Sequence, residues 1–136
     1  MRGRTCILLI CIATTALQGT PVAVSQPAQR EAFAVPLDCA KGDCPLLRGV
    51  PQTAGMRSGF VRLEPGQKVG RHTTAKNEET LVVLYGKGEA LLDDGKNLMF
   101  TAPAIVYIPP QTHHDVLNTG KEKLEYVYVV APAEGQ

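Results

Sequence analysis

Tryptophan is absent from this chain, and its aromatic side chains amount to four tyrosines and three phenylalanines in 136 residues. A sequence so poor in aromatics offers no stacking platform for single-stranded bases. It also lacks an excess of charge of either sign: 14 basic and 13 acidic side chains leave +1 with the histidines neutral. Nothing in that balance draws the chain to nucleic acid or to an anionic membrane surface, so no nucleic-acid partner is expected. The longest largely apolar run, Cys6 to Leu17, has 12 residues, whereas a membrane-spanning helix needs about 20. No membrane span is expected either.

That apolar run follows Arg2 and Arg4, and the small residues Ala23-Val24-Ser25 permit cleavage before Gln26. Residues 1–25 therefore read as a secretory signal peptide, and the protein as exported, periplasmic or secreted. Cleavage after Ala16 or Ala23 is also open. The remaining 111 residues suit one compact domain and carry 12 basic against 13 acidic side chains. Cys6 and Cys11 leave with the signal, so Cys39 and Cys44 form an even pair in an oxidising compartment. A disulfide is the natural reading, with Gly42 among the four intervening residues to turn the chain. Two unpaired thiols are the alternative, and a redox dithiol usually has two intervening residues.

Residues 26–55 are rich in Pro, Ala, Gln and Gly and read as an amino-terminal tail and arm. From Met56 the pattern changes to short apolar or alternating runs, spanning residues 60–63, 79–85, 89–92, 98–100, 105–108, 113–118 and 124–130. Pro65-Gly66, Gly86, Asp94-Gly95, Pro109-Pro110 and Thr119-Gly120 separate them. Short strands at such spacing predict an all-β sandwich or barrel over residues 56–131, with little helix. Asp94-Gly95 predicts a hairpin with a type I′ turn. The last strand is apolar on both faces, which predicts that the arm or a second subunit covers the outer one.

Two clusters carry the chemistry: Gly66, His72, Thr74, Glu79 and Gly86, then Pro109, His114 and Asn118. Strand alternation puts His114, Val116 and Asn118 on one face and His113, Asp115 and Leu117 on the other, so His113 becomes a ligand only if a bulge reverses it. Imidazole nitrogens and a carboxylate oxygen are ligands for divalent transition metals, and His72, Glu79 and His114, each in a stretch that reads as a β-strand, form a candidate metal site. Arg57 and Arg62 are candidates for binding an anionic substrate, and Gln111 and Thr112 for shaping the pocket entrance. Tyr85, Tyr107, Tyr126 and Tyr128 read mainly as packing residues, and Asn118 as securing the turn that follows it. No Ser-His-Asp order, acid/base carboxylate pair or phosphate-cradling loop emerges.

The spacing of the first cluster resembles the first motif of the cupin superfamily, with Thr74 where that motif has its second histidine. Pro109, His114 and Asn118 match the second motif, in which Pro103 and Gln111 replace two glycines. The resemblance implies a small single-domain protein of the type-2-like conserved barrel: a double-stranded β-helix, or jelly-roll barrel, with a short amino-terminal arm. It implies Fe, Mn, Ni or Zn held by His72, Glu79 and His114, with Thr74 reaching the ion through water and Glu79 doubling as a catalytic proton carrier. A small-molecule ligand, a homodimer, and dioxygenase or isomerase/lyase chemistry follow from the same resemblance. The alternative it leaves is a non-catalytic small-molecule or sugar-binding module with a degraded metal site. A periplasmic assembly role would rest on the Pro-rich arm alone.

Overall fold

The structure is a computed structural model that describes residues 30–133. The expected signal peptide lies outside the described residues. Eight strands form in chain order, β1 (Gly42–Arg48), β2 (Arg57–Leu63), β3 (Asn77–Tyr85), β4 (Lys87–Leu92), β5 (Leu98–Thr101), β6 (Ala104–Ile108), β7 (His114–Asn118) and β8 (Leu124–Pro132), with no helix among the described residues. They make a five-stranded sheet, β1-β2-β8-β3-β6, and a three-stranded sheet, β5-β4-β7. Every pairing is antiparallel. The two sheets are the all-β arrangement that the alternating runs predict, in the jelly-roll form that the resemblance implies.

Period-two alternation builds the core directly. Leu81 and Val83 of β3, Val106 and Ile108 of β6, Val61 and Leu63 of β2, and Leu124 and Tyr126 of β8 turn inward from the larger sheet. Ala90, Phe100 and Val116 meet them from the smaller one. Burying one such aliphatic side chain contributes about 1.5–3 kcal/mol. At Gly86, between β3 and β4, φ is +83° and a Cβ would run into the Lys123 carbonyl, so both the backbone conformation and the space require glycine.

Three local expectations are corrected. β1 lies inside the segment read as an arm and pairs with β2 along its length, with a bulge between Pro45 and Leu47. It escaped notice because Gly42, Asp43 and Pro45 break any apolar alternation, which an edge strand tolerates. At the β4–β5 turn only Gly95 has positive φ, and its N–H donates to Leu92 O at 3.1 Å. The left-handed residue therefore comes last in a Leu92–Gly95 turn, and a type I′ turn at Asp94-Gly95 does not form. His72 is not within a strand: it makes an isolated bridge to His114 from an irregular segment.

Candidate metal centre

That irregular segment brings the first histidine to its place. Residues 66–72 run antiparallel to β7 outside any regular strand, with backbone bonds from Gly66 N to Asn118 O, Val69 N to Val116 O and His72 N to His114 O. His114 N returns a bond to His72 O at 2.9 Å. A pair that exchanges both backbone bonds presents its side chains on one face, and the two imidazole centroids lie 4.3 Å apart. Asp115, on the opposite face of β7 and buried, accepts from Gly70 N at 2.9 Å and from Val116 N at 2.7 Å. It ties the loop before His72 to the strand that carries His114. Sequence reasoning assigned Asp115 to the outer face and missed this role, although a carboxylate beside a candidate ligand is a usable signal.

Glu79 comes from the other sheet, at the start of β3. Its carboxylate Oε2 lies 3.2 Å from His114 Nε2 and 3.9 Å from His72 Nε2. One ligand atom from each of the three residues falls within 4.8 Å of the others. Each imidazole is oriented by a backbone carbonyl: His72 Nδ1 contacts Gly70 O at 2.9 Å and His114 Nδ1 contacts Thr112 O at 3.1 Å. A carbonyl only accepts, so both Nδ1 atoms carry hydrogen, and a neutral ring then leaves Nε2 as a lone pair.

Two lone-pair atoms, His114 Nε2 and Glu79 Oε2, thus face each other in a buried place where neither has a hydrogen-bond partner. Such a pair repels unless a proton or a cation stands between them. Burial of His114 disfavours its charged form, but the Glu79 carboxylate and the Thr112 carbonyl outweigh burial and raise its pKa above the ordinary value of 6.5. The donor set of two imidazoles and one carboxylate, with its inward atoms unsatisfied, fits a divalent transition metal.

His72 and Glu79 line a cavity of about 430 Å³, and His114 lies fully buried behind them. Asp43 and Arg48 of β1, Arg57 of β2, and Tyr126, Tyr128 and Val130 of β8 line it too. Partial burial raises the Asp43 pKa against the opposing effect of the Tyr128 hydroxyl. The Tyr128 hydroxyl is itself pushed up to about 12, first by burial and then by Asp43. Its ring lies over Gly59, where a Cβ would run into it.

The remaining sequence candidates separate in space. Thr74 lines the cavity, but its hydroxyl donates to Asn77 O at 2.8 Å. His113 is exposed, whereas His114 is fully buried. Arg62 pairs with Glu125 at 2.7 Å and does not line this cavity. Gln111 and Thr112 line a separate surface pocket rather than the entrance to this one. Tyr85 and Tyr107 are exposed and donate to Glu122 and Glu78, while Tyr126 and Tyr128 reach the interior. Cys39 and Cys44 are joined by a disulfide, with Cα atoms 5.7 Å apart.

Comparison with known proteins gives a consistent picture. A family model described as "Cupin domain" matches residues 59–130. A curated protein of Streptomyces cyaneus, named polyketide synthase CurC, is 32% identical over 85 residues, covering 60% of this chain and 54% of its own length. The chain thus spans about half the length of that relative. Among solved structures, a Bacillus halodurans protein superposes with a TM-score of 0.65 at 19% identity, over 78% of this chain and 85% of its own. A Cupin 2 conserved barrel domain protein from Salinispora arenicola superposes with a TM-score of 0.58 at 24% identity, over 88% and 92%.

Proposed function

The chain belongs to the cupin family, and on that premise we propose that it holds a divalent transition metal through His72, Glu79 and His114 and acts on a small organic molecule in the adjoining cavity. The observation that carries this reading is the pair of buried, unpartnered atoms Glu79 Oε2 and His114 Nε2, 3.2 Å apart. Fe, Mn, Ni or Zn bound there would supply Lewis acidity or O₂ activation, the chemistry of an isomerase/lyase or a dioxygenase. The protein's own part is positional: Gly70 O and Thr112 O fix the two imidazole rings, and Asp115 fixes the loop bearing His72. Glu79, as the one carboxylate of the set, is the candidate proton carrier for substrate atoms beside it. Thr74 would take part through water, its hydroxyl proton being engaged with Asn77 O.

That engagement also favours a second reading, a non-catalytic small-molecule or sugar-binding cupin. With Thr74 held by its own turn, the direct protein ligands are limited to three. Elemental analysis of protein purified without a histidine tag, beside His114→Ala, separates the two readings. About one equivalent of metal in the parent and little in the variant is the expected result. Protein that holds no metal and takes up none when it is added would favour the binding module.

Export is part of the proposal, supported by the amino-terminal sequence and by the Cys39–Cys44 disulfide. So is a homodimer, formed through the outer face of the larger sheet. There Ile105 and Tyr107 of β6 are 72% and 52% exposed, on the same face as the half-buried Val127 and Val129 of β8, with Val82 and Thr80 of β3 between them.

A further inference from the structure

Arg48 and Arg57 stand directly opposite each other where β1 meets β2. The row continues across the sheet, because Arg57 faces Val130 of β8 and Val130 faces Glu79 of β3. Directly opposed residues share a face of the sheet. Two arginines, an apolar valine and one candidate metal ligand therefore form a single rank along the cavity wall. At the usual strand spacing, the Cα atoms of Arg57 and Glu79 are roughly 10 Å apart.

Like charges directly opposed across strands repel, and the other arginines of the barrel show how such charge is ordinarily met. Arg62 pairs with Glu125 and Arg71 with Asp93. Among the described residues neither Arg48 nor Arg57 has a carboxylate partner. Two planar guanidinium groups side by side match one carboxylate bidentately. The wall between them and Glu79 is apolar at Val130, and Pro45 and Leu47 line the same cavity. Because the cavity also holds the carboxyl groups of Asp43 and Glu79, a singly charged carboxylate suits it better than a phosphate dianion.

We propose that Arg48 and Arg57 form the carboxylate-binding end of this cavity, so that its substrates are small organic acids with an apolar middle whose far end is presented to His72, Glu79 and His114. This rests on the metal-site reading only for which end reacts; the arginine pair stands on its own geometry.

The probes are pentanoate and its neutral counterpart pentan-1-ol, titrated calorimetrically into the purified chain with and without one equivalent of Mn(II), with metal content measured in each sample. Pentanoate should bind and the alcohol should not. Arg48→Gln with Arg57→Gln should weaken pentanoate at least tenfold while leaving metal content unchanged, and Arg57→Lys, which keeps charge but loses the planar fork, should fall between. Should the double variant fail to fold, Arg57→Lys alone carries the test. Pentanoate affinity indifferent to these substitutions, or no pentanoate binding by the parent, would overturn the proposal. If Mn(II) is not taken up while arginine-dependent binding persists, the metal reading fails and this one stands. Normal Mn(II) uptake with arginine-independent binding gives the reverse.

Discussion

The two ends of strand β7 both bury a polar side chain almost completely, His114 at 0% exposure and Asn118 at 1%, yet they treat it in opposite ways. Asn118 has its side chain satisfied: Nδ2 donates to Leu63 O at 2.9 Å and to Glu122 O at 2.8 Å, and Oδ1 accepts from Gly120 N at 2.8 Å. His114 bonds through Nδ1 alone, and its Nε2 points at an equally unpartnered Glu79 Oε2. A satisfied buried network specifies one packing, whereas an unsatisfied one costs stability and marks a place where something else binds. One end of the strand is closed by hydrogen bonds, and the other keeps two facing polar atoms unsatisfied.

The largest expected effect tests that contrast directly. Asn118→Ala removes the partners of two carbonyls and one N–H, and at about 1 kcal/mol or more for each unsatisfied group it should cost about 3 kcal/mol in urea unfolding. Glu79→Leu, compared with the parent in chelator at a pH high enough to keep His114 neutral, should leave stability unchanged or raise it by about 1–2 kcal/mol, because it removes a desolvated carboxylate that faces a lone pair. A loss at Glu79 as large as that at Asn118 would make the carboxylate structural and erase the difference between the two ends.

A smaller effect is expected from pH. Because the His114 pKa is raised above 6.5, protons compete with a cation for its Nε2 at higher pH than they would at an ordinary histidine. Bound metal, followed by dialysis and elemental analysis, should be lost as pH falls, beginning above 6.5. In chelator the sign reverses. A raised folded-state pKa stabilises the native form fully below the unfolded value, and that contribution is lost as pH rises through the raised one. Melting temperature should therefore decline with rising pH in chelator and increase with it in added metal; parallel slopes would show that no ion and proton share the site.

Asp115→Ala sharpens the comparison from the opposite face of the same strand. It frees Gly70 N–H and loosens the loop before His72, so metal affinity should fall about tenfold, as for other residues that orient ligands, while the Asn118 end stays intact. Unchanged affinity in a competitive chelator titration would show that the His72 loop is held without it. The smallest effect is at Gln111, which adopts φ of +61° where the family motif has glycine. Gln111→Gly should stabilise by about 0.5–1 kcal/mol, relieving left-handed strain with little change in metal binding.

Much of this molecule was legible in the chain because alternation is a local property. Residues 79–85, 105–108 and 124–130 announced their strands, and parity put His113 and His114 on opposite faces, with the spacing to Pro109 and Asn118 favouring His114. β1 was not legible, since an edge strand containing Pro45 and Asp43 needs neither apolar alternation nor a full ladder. Arg57 and Arg62 looked equivalent in sequence but point to opposite faces, one into the cavity and the other to Glu125.

By itself, then, the sequence determined the all-β class, the cupin motifs and three ligand-capable residues, because spacing and parity are written along the chain. Only the tertiary structure decided that residues 66–72 lie beside β7 without forming a regular strand. It alone put Asp43, Arg48 and Arg57 in the cavity that His72 and Glu79 line, and it alone left Glu79 Oε2 and His114 Nε2 buried without partners. The physical reason is that hydrogen-bond satisfaction and like-charge juxtaposition depend on which strands become neighbours, and neighbours such as β2 and β8, or β1 and the cavity, are set by long-range pairing.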